Sequence, residues 1–308
     1  MVHSTVRLTP HLGSGAKMTG CPLAAVCPLL SAFTVVVLTL TLVACRDDRG
    51  ALQSTTAPPA AGVTEAAASV DSGAEAILLA YRQAAGLTAL DNLTSLRAAG
   101  VTFTAGDRSN RRLVIQTKLP GKFRQYEAPV DAASRQLLSI IGLNGPDGWR
   151  AGNGRLAGDG LSPDRAVRER AITQAARQNY INALAGMVPW ILRGDPSLTF
   201  AAVEPASQAS DLGLSVVLIS SQDGPAGRLF FDPATSLPTK FVAPYQTHIR
   251  KQGGEYTLHL SDFREVEGLR VPFAMNRDDE AERSTRWSFS TYTLTPAIAP
   301  TDFAPPIR

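Results

Sequence analysis

The sequence predicts an α+β fold, in which an antiparallel sheet of many strands carries helices on one side. Three observations predict it. The apolar spacing changes from a helical period to a period of two near residue 96 and keeps the shorter period to residue 151. Clusters of Gly, Asn, Asp and Pro interrupt these runs, so neighbouring strands are joined by short turns and pair antiparallel. A single helix-patterned segment, from about residue 163 to residue 184, divides the strands into two blocks.

The chain begins with Arg7 and Lys17, has no acidic residue before Cys45, and carries no charge between Met18 and Cys45. A basic start, an apolar stretch and small residues at its end describe a secretory signal peptide over residues 1–44. The tetrad Leu42-Val43-Ala44-Cys45 resembles the bacterial lipobox. That resemblance implies cleavage between Ala44 and Cys45, acylation of Cys45, and a protein held on a membrane of the bacterial cell envelope, facing the periplasm. Each buried acyl methylene contributes about 0.8 kcal/mol, so two or three chains anchor stably where one does not. An uncleaved membrane helix is the competing reading; Pro22 and Pro28 disfavour it. Residues 45–72 are rich in Ala, Ser, Thr, Pro and Gly and read as a disordered tether. The folded body is expected over residues 73–308.

Within that body, Ser72–Ala85 is a helix with Glu75 in its first turn and Gly86 as its stop. Leu87, Leu90 and Leu93 add a further helical turn. Residues 96–105 and 111–118 form a hairpin, and Lys122–Ala128 a third strand. Leu137–Leu143 and Trp149–Ala151 follow. The Gly- and Asp-rich stretch 144–160 lacks the alternating oxygens of a calcium loop and reads as two tight turns. Ser162 as N-cap, Pro163 at the first position and Asp164 in the first turn open the central helix. Its apolar stripe is Val167, Ala171, Ala175, Ile181 and Leu184. The apolar patch Met187 to Leu192, interrupted by Pro189, reads as ordinary core or, alternatively, as a greasy plug or lid over a cavity, since Met and Trp suit adaptable apolar contact. Strands are then expected at Ser215–Ser220, Gly227–Asp232, Pro238–Ala243, around Tyr256, Leu258 and Leu260, at Leu269–Asn276, and around Trp287, Phe289 and Thr291.

Composition excludes several function classes. The cysteines are Cys21, Cys27 and Cys45, so the exported body has no thiol pair and no cysteine nucleophile. The 30 basic residues include Arg7 and Lys17 of the leader, which leaves 28 against 27 acidic residues, a balance of +1. That offers no footprint for nucleic acid. Only His248 and His259 follow the leader, and no hydrolase, zinc-protease or nucleotide motif is present. His259 alternates in phase with Thr257 and Ser261 and is expected to face outward. The acidic run Asp278, Asp279, Glu280 and Glu282 reads as a solvated turn. No metal, cofactor or catalytic residue is expected.

Two stretches carry a further resemblance. Leu229-Phe230-Phe231-Asp232-Pro233-Ala234-Thr235-Ser236-Leu237-Pro238 and Asp262-Phe263-Arg264-Glu265-Val266-Glu267-Gly268-Leu269-Arg270-Val271-Pro272 resemble two hairpins of periplasmic lipoprotein-sorting-like proteins. Leu119-Pro120-Gly121-Lys122-Phe123-Arg124 and the order of elements match as well. The group includes the Lol-pathway lipoprotein carriers and lipid-binding envelope lipoproteins. The resemblance implies an unclosed antiparallel β-barrel whose helices pack over the open concave side above an apolar cavity. It implies a lipid or a lipidated protein as partner, bound without catalysis. Leu184, Met187, Val188, Trp190, Ile191 and Leu192 are the expected lining or lid of that cavity. The competing reading is a structural envelope lipoprotein whose cavity is filled by its own side chains.

Overall fold

The computed structural model describes residues 68–106, 110–130, 139–152, 164–204, 211–244, 254–279 and 284–306. The expected leader, Cys45 and most of the tether lie outside these residues. So do Ser162, Pro163, His248, Glu280, Glu282 and the second of the two expected turns.

The first block holds β1 (Ser69–Val70), α1 (Ser72–Ala85) and α2 (Leu87–Asp91), then β2 (Ser95–Thr104), β3 (Arg111–Lys118), β4 (Lys122–Pro129), β5 (Ser139–Asn144) and β6 (Asp147–Ala151). The central helix α3 (Arg165–Met187) and a 3-10 turn (Pro189–Gly194) lead to the second block. That block is β7 (Leu198–Val203), β8 (Ser215–Ser221), β9 (Gly224–Phe231), β10 (Pro238–Pro244), β11 (Glu255–Val266), β12 (Leu269–Asp279) and β13 (Thr285–Leu294), closed by a 3-10 turn at Pro300–Phe303.

Among the described residues these strands make one sheet, in the order β1-β7-β8-β9-β10-β11-β12-β13-β2-β3-β4-β5-β6. Each block is a meander, and the two are welded where β13 pairs antiparallel with β2. Only β1 runs parallel to its neighbour. The sheet has two free edges, β1 and β6, and so does not close. It curls: α3 packs on β3 to β6 near one edge and also on β9, β10 and β12 on the other side of the weld. α1 covers β7, β8 and β12. The fold is therefore the expected open half-barrel with helices in its concavity.

Local chemistry explains the element ends. Glu267 and Gly268 take φ of 50° and 79°, the left-handed pair that a tight β11–β12 hairpin demands. Asp232 builds its turn by accepting from Ala234 N at 2.9 Å and from the Thr235 hydroxyl at 3.0 Å. At Gly86 (φ +125°) a side chain would meet the Gly268 carbonyl oxygen at 2.0 Å, so this residue both ends α1 and admits the hairpin turn.

Four expectations are corrected. The tether stops short of Ser72: Ser69 and Val70 pair with Thr199 and Phe200 on β7, and Ala68 N donates to Arg193 O at 2.9 Å. The cap of α3 is Asp164, not Ser162, because the Asp164 carboxylate accepts from Ala166 N at 2.8 Å. The expected stripe of α3 is also uneven. Val167 is exposed, whereas nearly every residue from Tyr180 to Met187 is buried. The helix enters the trough end-on, so its polar N-terminal half stands clear and its C-terminal half is immersed. In β13 the alternation of Trp287 and Phe289 does not extend to Thr291, since a register shift between Phe289 and Thr291 puts Tyr292 inward instead.

Candidate functional site

The trough is packed solid along one part and open along another. Tyr81, Phe231, Phe241, Leu184 and Leu192 belong to the continuous core. Beside it, between α3 and the strands around the weld, lies a cavity of about 520 Å³. That is within the span of roughly 300–1,000 Å³ usual for small-molecule sites.

The cavity exists because of what α3 presents to it. Ala175, Asn179, Asn182 and Ala183 face the space at helical spacing. They are too small to reach the opposite wall. Gly186, one turn on, lets the helix settle against Leu258 and Met275, whose atoms would lie 3.2 Å from an added Cβ. The strand walls contribute alternate residues, as the pleat requires. β12 supplies Arg277 and Met275, β13 Thr285, Trp287 and Phe289, β2 Thr104 and Thr102. β3 supplies Arg111 and Ile115, β4 Glu127 and Gln125, β5 Ser139 and Ile141.

These pairs share a polarity. Because neighbouring strands run antiparallel, the N-terminal end of β3, β5, β11 and β13 and the C-terminal end of β2, β4 and β12 lie at one side of the sheet. Arg111, Ser139, Thr285, Thr104, Glu127 and Arg277 are all at that end. Ile115, Ile141, Phe289, Met275 and Leu258 lie deeper and are buried. The cavity thus has a polar mouth and an apolar interior.

At the mouth Arg111 Nη1 is 3.2 Å from Glu127 Oε2, with the two side chains 34% and 18% exposed. Gln125 Nε2 donates to Glu127 Oε1 at 3.3 Å. Burial lowers the Arg150 pKa from its ordinary value, and Glu127 nearby acts in the opposite sense. Arg277 stacks on the Tyr256 ring at 4.1 Å. The Tyr256 hydroxyl accepts from Asn182 Nδ2, and burial pushes its pKa up to about 12. Gln178 Nε2 donates to Asn182 Oδ1 and to Ala226 O, each at 2.8 Å, which fixes α3 to β9.

The residues expected to line or gate the cavity are elsewhere. Leu184, Met187, Val188, Ile191 and Leu192 are buried in the core, and none of them borders the cavity. Trp190 is half-buried on the far side, with Arg193 and Arg82 over its ring at 4.2 and 5.2 Å. Arg193 in turn pairs with Glu75 at 2.6 Å. The physical reason is Pro189: it cannot continue α3, so the chain reverses in a 3-10 turn and folds its apolar side chains under α1. The signal that sequence reasoning missed is the Ala-Asn-Asn-Ala face of α3. His259 is exposed as expected, its Nε2 3.5 Å from the Asp278 carboxylate. Among the described residues no group of three His, Cys, Asp or Glu could hold a metal, and no helix is long and apolar enough to cross a membrane.

No protein-family model matches the chain, and no curated protein matches it. Solved structures are similar in fold. A DUF1329 family protein from Desulfovibrio piger has a TM-score of 0.47 and 11% identity, over 76% of this chain and 98% of its own. A LolA superfamily protein from Nitrosomonas europaea has 0.46 and 14%, over 75% and 97%. A domain named for outer membrane lipoprotein sorting, from Vibrio parahaemolyticus, has 0.45 and 12%, over 75% and 97%. The likeness is one of fold alone.

Proposed function

We propose that this protein is an envelope lipoprotein that holds an acyl chain, of a lipid or of a lipidated protein, in the cavity between α3 and the curved sheet. The observation that carries the reading is a cavity of about 520 Å³ whose inner walls are Ile115, Ile141, Leu258, Met275 and Phe289. Hydrocarbon entering it leaves water at about 25 cal/mol per Å² buried. The lipobox resemblance at Leu42-Val43-Ala44-Cys45 supports export and acylation at Cys45, which would place the cavity within tether reach of a membrane. No catalytic step is assigned to it.

Native mass spectrometry of protein extracted from its own envelope tests the reading. Added mass matching an acyl-bearing ligand is the expected result. Recovery of ligand-free protein alone, together with no uptake of a fluorescent fatty acid, would overturn it.

A further inference from the structure

The geometry points to an amphiphile with an anionic headgroup, a carboxylate or a phosphate, bound with its chain in the apolar interior and its charge at the arginine-lined mouth. This inference rests on the acyl-chain reading of the same cavity and specifies its ligand.

Among the described lining residues, three are cationic, Arg111, Arg150 and Arg277, and Glu127 is the single acid. They come from β3, β6 and β12, which are far apart in sequence and meet only because the sheet curls. A purely hydrocarbon ligand would gain nothing from guanidinium groups in its path, and covering them would cost their hydration. An anion reverses that sign, and the planar guanidinium matches carboxylate and phosphate geometry. The inference does not require these arginines to be idle. Each guanidinium carries five N–H donors, so an anion can share it with a protein partner such as Glu127 on Arg111. Glu127, held by Arg111 and Gln125, orients the mouth. The Arg277 guanidinium lies over the Tyr256 ring, 4.1 Å from its centroid, which holds it beside the cavity. The order of polarity along each wall, charge at the mouth and Met275, Leu258 and Phe289 inside, is that of a fatty acid or a monoacyl phosphate.

The test uses the full-length protein in phosphatidylcholine vesicles with photoactivatable, diazirine-bearing C16 probes: a fatty acid, a monoacyl phosphate, and the corresponding alcohol. Cross-linked peptides are mapped by mass spectrometry. The acid and the phosphate should label cavity peptides containing Met275 or Ile115 about tenfold more than the alcohol, the scale set by a charge-assisted hydrogen bond. Arg150→Gln with Arg277→Gln should abolish that preference while labelling by the alcohol persists, which also reports an intact cavity. Arg277→Lys should keep most of the preference. Equal labelling by acid and alcohol in the unaltered protein would overturn the headgroup inference and leave the acyl-chain reading standing. Loss of acid labelling on adding inorganic phosphate at equal concentration would assign the mouth to a small free anion instead and overturn the amphiphile. Absence of cavity labelling by every probe would overturn the acyl-chain reading itself.

Discussion

Asn182 on α3 donates a hydrogen bond from Nδ2 to the hydroxyl of Tyr256 on β11, and both residues border the cavity. This bond clasps the helix to the sheet at the place where small side chains would otherwise leave the two apart. Tyr256→Phe removes the acceptor and leaves the Asn182 amide facing the cavity. We expect a loss of about 1 kcal/mol, read as a lower urea midpoint with an unchanged slope. An unchanged midpoint would show that the clasp contributes nothing.

Filling the cavity separates binding from folding. Ala183 is 8% exposed and faces the open space. Ala183→Trp should occupy part of that volume and weaken fatty-acid uptake. Since the added bulk enters a void rather than a packed core, the cost in stability should stay below the roughly 1–3 kcal/mol typical of overpacking. Undiminished uptake in a folded variant would move the ligand elsewhere.

The apolar patch after α3 should behave in the opposite way. Leu192 is fully buried in the core and away from the cavity. Leu192→Ala is expected to cost about 2–5 kcal/mol, while the folded fraction keeps wild-type ligand affinity in a titration. A specific loss of affinity would restore this patch as part of the site.

Alkali should expose the buried phenols. Burial raises the pKa of Tyr81, Tyr180, Tyr256 and Tyr292 in the fold, and Tyr256 reaches about 12 against a model-compound value of 10.0. Below pH 10 both states are protonated and the contribution to stability is whole. As pH rises past that point the unfolded chain releases protons that the native state retains, so stability falls by up to about 1.4 kcal/mol per pH unit for each such tyrosine. Tyrosinate absorbance should therefore rise together with unfolding. Absorbance that rose fully near pH 10 while the fold persisted would show the phenols to be accessible.

Export can be checked at one position. Cys45→Ser should prevent acylation and leave the precursor uncut, seen as a slower band and loss of labelled palmitate incorporation. Normal processing of that variant would remove the lipobox reading.

Local chemistry determined much of this protein from sequence alone. The alternation of Leu113 and Ile115, the Asp232-Pro233-Ala234-Thr235 turn, the Glu267-Gly268 hairpin and the Gly86 stop each encode a structure within a few residues, and the elements form there. An antiparallel sheet with helices follows from these signals, because period and turn chemistry are local properties of a chain. The site was not legible in the same way. Met187 to Leu192 and the α3 face of Ala175, Asn179, Asn182 and Ala183 are neighbours in sequence, and hydrophobicity lets the first be either core or ligand surface. Only the packing decides: the greasy patch fills the core, and the small and polar face bounds the hollow. The charged lining is also a product of pairing, since Arg111, Arg150 and Arg277 come to one cavity through the β13–β2 weld and the curl of the sheet. Burial and proximity are non-local quantities, fixed by which strand lies beside which, and no single segment contains them.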